Sequence, residues 1–166
     1  MLKMIDSLSE LDFRQLMDLY AETNMFDGKA AYPEHLEGLQ VLYAEQDFYI
    51  YLEEFFSEPT AKYAIWIVNG SYMSALRIER YNDGILLNAL ETAPRARNMG
   101  YAKKLILSVL DHLRCDGHGV LYSHVNKQNA ASLKLHLSCG FQIISDTAEF
   151  LDGSIRPDSY TFALEY

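Results

Sequence analysis

Arg95, Arg97 and Gly100 fall within one short stretch, and a loop of that composition at a helix start can hold an anion. The segment Arg97-Asn98-Met99-Gly100-Tyr101-Ala102 follows an apolar run, residues 85–92, that reads as a strand stopped by Pro94. Gly100 lets backbone N–H groups approach a ligand closely, the helix N-terminus adds unpaired donors and a positive dipole end, and the two arginines add full charge. Diphosphate is the guest such a loop suits. Gly-x-x-x-x-Gly-Lys-Ser/Thr is missing, which argues against a Mg-bound nucleoside triphosphate, and the missing Gly-x-Gly-x-x-Gly argues against a nicotinamide dinucleotide.

A second segment lies downstream, Asn129-Ala130-Ala131-Ser132-Leu133-Lys134-Leu135-His136-Leu137-Ser138-Cys139-Gly140-Phe141. Asn129 can cap a helix, Leu133 and Leu137 share one face of it, and Gly140 suits the left-handed residue just past its end. Arg97-x-x-Gly100-x-Ala102 resembles the acetyl-coenzyme A signature of the GNAT superfamily of N-acetyltransferases. The Asn129 segment resembles the later motif of that family, in which an Asn opens a helix ending at Gly-Phe. The resemblance covers about residues 61–145, the cofactor half, and is topological elsewhere.

The resemblance implies a fold and a mechanism. The strand over residues 87–92 and the strand over residues 120–125 are expected to splay, with the pantetheine arm in the gap and the backbone N–H of Thr92 or Ala93 polarising the thioester carbonyl. Arg95, Arg97, Asn98, Met99, Gly100, Tyr101 and Ala102 are the expected diphosphate contacts, joined from the later helix by Asn129, Ser132 and His136. Coenzyme A carries the acyl group, and the protein supplies orientation and electrostatics.

Acyl transfer to an amine needs a neutral nucleophile and a stabilised thiolate. His136 stands where many members of the family carry a Tyr that protonates the sulfur, and an imidazole exchanges protons near neutral pH; the reading in which it only packs stands beside this one. Glu91 is the candidate base, because it lies on the strand expected to meet the acceptor. Side-chain alternation leaves open which face it serves, and a solvated or ion-paired Glu is the competing reading. Tyr101 and Tyr122 are further candidates for the proton donor. The expected activity is transfer of an acetyl or other short acyl group from its coenzyme A thioester to a primary amine, a small molecule first and a protein or peptide amine second. A noncatalytic acyl-coenzyme A sensor and an accessory scaffold are the rival classes.

Charge is unevenly placed. Residues 1–60 carry three Lys or Arg against thirteen Asp or Glu, a net of −10, and residues 61–166 carry eleven against ten, a net of +1. In a GNAT fold the first helices wall the acceptor side, so their acidity could steer a cationic amine, or simply solubilise the surface. No basic stripe exists for a nucleic acid partner. Cys115 and Cys139 form no redox pair or disulfide framework, and Cys139 reads as a buried thiol. His112, Cys115 and His118 recur at intervals of three, but Asp116-Gly117 is expected to end the helix before His118, and no metal is expected.

The elements that must position these groups fit one domain over residues 1–166, of which 49% are hydrophobic. No stretch of about eighteen apolar residues and no signal-peptide pattern occurs, so a cytoplasmic protein, monomer or homodimer, is expected. Met4 and Ile5 start a strand, Ser7 or Ser9 caps a helix through Tyr20, residues 24–32 read as loop, and residues 33–56 read as helical with a possible break at Gln46-Asp47. Residues 61–68 and 71–79 flank Asn69-Gly70, the strongest hairpin signal, and Asn82-Asp83-Gly84 turns into the strand before the loop. The next helix sets Ala102, Leu105, Ile106, Val109, Leu110 and Leu113 on one face and leaves Lys103 and Lys104 for water or phosphate. Strands at 120–125, 141–144 and 161–166 close the sheet. The expected class is α/β (α+β), a mixed, mostly antiparallel sheet of six to seven strands flanked by about four helices.

Overall fold

Asn69 and Gly70 turn the chain with φ of 49° and 78°, the left-handed pair that a two-residue hairpin requires. A computed structural model describes residues 1–115 and 119–165. In chain order, β1 (Leu2–Ile5) leads through a short 3-10 turn into α1 (Phe13–Leu19), α2 (Ala21–Ala31) and α3 (Glu37–Phe55). The hairpin strands β2 (Lys62–Val68) and β3 (Ser71–Tyr81) follow, then β4 (Gly84–Thr92), α4 (Tyr101–Cys115), β5 (Val120–Asn126) and α5 (Ala130–Ser138). The chain ends with β6 (Gln142–Ser145), a small hairpin of β7 (Ala148–Glu149) and β8 (Ile155–Arg156), and β9 (Ser159–Glu165).

Seven strands form one sheet in the order β1-β2-β3-β4-β5-β9-β6. Every neighbouring pair is antiparallel except β4 and β5. Two hydrophobic layers cover its faces. On one, Leu16, Met17 and Leu19 of α1, Tyr20 at its end, and Leu52 and Phe55 of α3 pack on Ile5, Tyr63, Ile65 and Ala75. On the other, Leu105, Ile106, Val109, Leu110 and Leu113 of α4 pack on Ala64, Leu76, Ile78, Ile85, Leu87 and Leu121. Each fully buried aliphatic side chain of that stripe contributes about 1.5–3 kcal/mol, which fixes the first turn of α4 against the end of β4. The sheet class and strand count match the expectation.

The helical half differs from it in three places. The described residues contain five α-helices, because α2 forms where the sequence reads as loop. Its Met25 and Phe26 point to solvent and only Asn24 and Gly28 are buried, so no apolar stripe marks it. Asp12, not Ser7 or Ser9, caps α1, with its carboxylate accepting from the Gln15 amide at 3.1 Å. Residues 33–36 precede α3, which runs unbroken through Gln46 and Asp47. Asp116, Gly117 and His118 lie outside the described residues, as does Tyr166.

Gly28 holds α2 to α3: a Cβ there would stand 2.3 Å from the Gln40 carbonyl oxygen. Helix propensity alone favours Gly28→Ala by about 1 kcal/mol. The contact reverses this, and we expect a net loss of about 1–3 kcal/mol by urea denaturation. An unfolding midpoint at or above that of the parent contradicts the packing described.

Candidate active site

The sheet opens between β4 and β5. The two strands share three rungs, Ile85↔Leu121, Leu86↔Tyr122 and Leu87↔Ser123. Beyond them β4 continues with β3 to Ser74↔Thr92, and β5 continues with β9 to Asn126↔Ser159. The cause is a bulge: Arg77 pairs with Asn88 but Ala75 pairs with Glu91, which gives β4 an extra residue and bends it away. Ala89 takes φ of 50°, its N–H donates to the Asn88 side-chain oxygen at 2.8 Å, and its carbonyl accepts from the Tyr20 hydroxyl at 2.6 Å. Burial pushes the Tyr20 phenol up to about 12, so it stays a donor at neutral pH.

The bulge decides which amide faces the gap. Ala93 N–H donates to the Met73 carbonyl at 3.0 Å, so Ala93 offers no free donor to a thioester. Antiparallel alternation then turns the Thr92 N–H away from β3 and toward the gap. Of the two amides anticipated for that task, Ala93 is taken by Met73, while Thr92 N–H lies toward the gap beside the Glu91 carboxylate.

At the mouth of the gap lies a cavity of about 370 Å³. Glu91 and Thr92 of β4, Arg97, Asn98 and Gly100 of the loop, Tyr101 and Ala102 of α4, and Asn129 and Ser132 of α5 all line it. Asn98 and Gly100 take φ of 62° and 77°, and no atom would lie within 4 Å of a Cβ on Gly100. That leaves an open cradle beside the first N–H groups of α4, which have no intrahelical acceptor. On the far wall, the Asn129 side chain caps α5 through the Ser132 amide at 3.0 Å. Lys103, Ala131 and Leu135 join the lining. Arg95 is exposed on the 3-10 turn at Pro94–Ala96 and Met99 is 56% exposed; neither lines the cavity.

Charges at the cavity are arranged through α2, which no local sequence signal ties to this loop. Arg97 donates from both terminal guanidinium nitrogens to Glu22, at 3.2 and 2.7 Å, instead of standing free as a phosphate ligand. Thr23, the next residue, donates to Glu91 at 3.4 Å. Burial raises the Glu91 carboxyl above its ordinary range, while the Thr92 amide, Arg97 and the Thr23 hydroxyl partly pull it back.

His136 does not reach the cavity. It is buried against the Phe141 and Phe162 rings. Its Nδ1–H donates to the Ser132 carbonyl at 2.9 Å, and its Nε2 then accepts from the Ser123 hydroxyl at 2.9 Å. Nδ1 is thus held within α5 and Nε2 fastens that helix to β5, so the position anticipated for a proton donor carries a strut. Tyr122 donates to Asp83 at 2.7 Å at the β3–β4 turn, the far end of the strand. Tyr101 lines the cavity, with the Lys104 ammonium 5.4 Å from its ring centroid. Among the described residues no group of three or more His, Cys, Asp or Glu is placed to hold a metal ion. No described helix is long and apolar enough to cross a membrane.

The sequence model of the Acetyltransferase (GNAT) family matches residues 15–141. No curated protein matches the chain in sequence. The fold is shared with the PaiA N-acetyltransferase of Thermoplasma acidophilum, solved with coenzyme A, at a TM-score of 0.69 and 13% identity over 100% of this chain and 99% of that one. It is shared with the ribosomal-protein-S18-alanine N-acetyltransferase of Escherichia coli at 0.64 and 19% over 99% and 94%. A Bacillus subtilis acetyltransferase, solved with coenzyme A, gives 0.57 and 13% over 70% and 82%. At such identities the likeness carries the fold.

The buried imidazoles make a pH prediction. Burial lowers the pKa of both His124 and His136 from the ordinary 6.5. The unfolded chain therefore binds more protons below that value, so their contribution is complete above about pH 6.5 and is lost as pH falls toward the folded pKa. We expect the thermal midpoint to drop between pH 7.5 and 5.5, and to drop less in His136→Gln. Equal slopes in the two proteins contradict a buried neutral His136.

Proposed function

Because the chain belongs to the Acetyltransferase (GNAT) family, we propose that it moves an acetyl group from acetyl-coenzyme A to a primary amine of a small molecule. The observation that carries this reading is the β4–β5 gap with a phosphate-sized cradle at its mouth. Coenzyme A fits the residues present. Gly100 keeps the cradle clear, and the leading N–H groups of α4 would take the diphosphate. Residues 88–92 and 124–126 would receive the arm between them. Bound there, acetyl-coenzyme A supplies an activated thioester.

The protein's own groups do the rest. Thr92 N–H stabilises charge on the carbonyl oxygen. Glu91 takes a proton from the ammonium and leaves a lone pair free to attack. The amine nitrogen forms the C–N bond, the C–S bond breaks, and the thiolate takes up the proton shed by the new amide nitrogen. His136 holds α5 in place and so positions Ser132 on the cavity wall. A small acceptor is supported by the β7–β8 hairpin, which lies over β5 where a protein substrate would need open surface: Phe150 covers His124 at 5.1 Å between ring centroids. The net charge of −10 over residues 1–60 favours a cationic acceptor.

Release of coenzyme A thiol from acetyl-coenzyme A, followed across amino acids, amino alcohols, polyamines, aminoglycosides and peptides, tests the reading. Turnover with a small amine is expected; tight cofactor binding with no turnover across the panel contradicts it. Gly100→Val is expected to abolish cofactor binding, through both the strained φ and the filled cradle. Unchanged affinity places the site elsewhere.

Glu91→Gln is expected to lower kcat by about 100-fold or more. The parent rate should rise with pH through a limb displaced above the ordinary carboxyl value of 4.5, and the variant should lack that limb. A variant that keeps it removes Glu91 from proton transfer.

A further inference from the structure

His124 makes no use of either ring nitrogen. Both are buried, and neither has a hydrogen-bond partner among the described residues. His136 approaches the same strand from the opposite face and has both satisfied. Interiors seldom leave a donor and an acceptor unmade together, and a pair left so calls for an explanation.

The place of this imidazole in the sheet supplies one. Leu121 and Val125 of β5 pack with α4, and Ser123 meets α5, so alternation sends Tyr122 and His124 to the face of α1–α3. His124 is the first β5 residue beyond the last rung shared with β4. Across the gap, Asn88 and Glu91 pair with Arg77 and Ala75 and project to that same face. Glu91 and His124 therefore stand on the same face of the sheet, one on each arm of the β4–β5 gap, and Glu91 also reaches the cavity that holds the phosphate cradle.

Aromatic rings enclose the site. Tyr81 stands edge-on at 5.3 Å and Phe150 at 5.1 Å from the His124 ring. Phe150 belongs to a hairpin of only two rungs, Ala148↔Arg156 and Glu149↔Ile155, pinned by the Tyr81 hydroxyl donating to the Glu149 carbonyl at 2.9 Å. A ladder that short opens readily. The titratable and charged groups around the ring are the Tyr81 phenol from β3, the Tyr122 phenol from its own strand and, behind Phe150, the Arg156 guanidinium from β8. Desolvation alone lowers its pKa, so at neutral pH the ring is uncharged and carries one donor and one lone pair.

We propose that His124 selects the acceptor: its two nitrogens hydrogen-bond a neutral substituent that both donates and accepts, a hydroxyl or carboxamide, carried by the amine whose ammonium Glu91 receives. A second ammonium is excluded because it would be desolvated against a neutral ring with no counter-charge. This inference rests on the acetyl-transfer reading above.

The test uses the full chain, His124→Phe and His124→Gln, saturating acetyl-coenzyme A, and matched acceptors: 2-aminoethanol against propylamine, and β-alaninamide against butylamine. The parent is expected to prefer the hydroxyl- or amide-bearing partner in kcat/KM by at least about tenfold. His124→Phe should bring that ratio close to one, and His124→Gln, which retains a donor and an acceptor, should restore part of it. No preference in the parent, an equal preference in His124→Phe, or an equal loss with every acceptor overturns the proposal.

A readout independent of turnover separates the two readings. The 15N shifts of the His124 imidazole should move when 2-aminoethanol is added to the coenzyme A complex and stay fixed with propylamine. No movement overturns the subsite. Movement without turnover upholds the subsite and counts against acetyl transfer.

Discussion

Everything at this site depends on one residue in the wrong half of conformational space. Ala89 holds φ of 50°, which a β-branched residue would resist, and the bulge it makes ends the β4–β5 ladder after three rungs. Its strain is compensated on both sides by short hydrogen bonds, from its own N–H to Asn88 and from Tyr20 to its carbonyl. Without that kink the strands would continue side by side. The Thr92 amide would then pair with a neighbour, and no gap would exist for an extended substrate arm.

The open ladder also gives the two faces different tasks. On one, α4 and α5 bring a helix N-terminus and an Asn cap to the gap, with the fully bonded His136 behind them in the core, a rigid wall suited to holding a diphosphate. On the other, Glu91 and His124 occupy a drier surface where one is raised in pKa and the other is left without partners. The Arg97–Glu22 pair bridges the two. Both side chains are about half exposed, at 44% and 56%, and an exposed pair of this kind contributes at most about 1 kcal/mol. A phosphate can therefore draw Arg97 off Glu22 at small cost, leaving α2 anchored by the contact of Gly28 with Gln40.

Local chemistry made much of this legible in the sequence. The Asn69-Gly70 turn, the apolar stripe of α4 and the Asn129 cap each rest on neighbours within a few residues, and each stands where the pattern placed it. What escaped depends on distant partners. α2 carries no stripe because its buried positions are an Asn and a Gly, and Gly28 reads as a loop residue until the Gln40 carbonyl beside it is seen. Thr92 and Ala93 are equivalent in sequence; only the rung partner Met73 distinguishes them. His136 matched a family position but faces the core, and His124 lay in a strand whose alternation gives no hint of which face is wet.

A crystal structure of the protein with a coenzyme A–amine bisubstrate conjugate tests the central claim most directly. The account predicts the diphosphate on the backbone amides of residues 100–103, the arm between residues 88–92 and 124–126, and the acceptor nitrogen within hydrogen-bonding distance of Glu91. An arm lying outside the β4–β5 gap, or an acceptor nitrogen on the α4 side of the sheet, contradicts it.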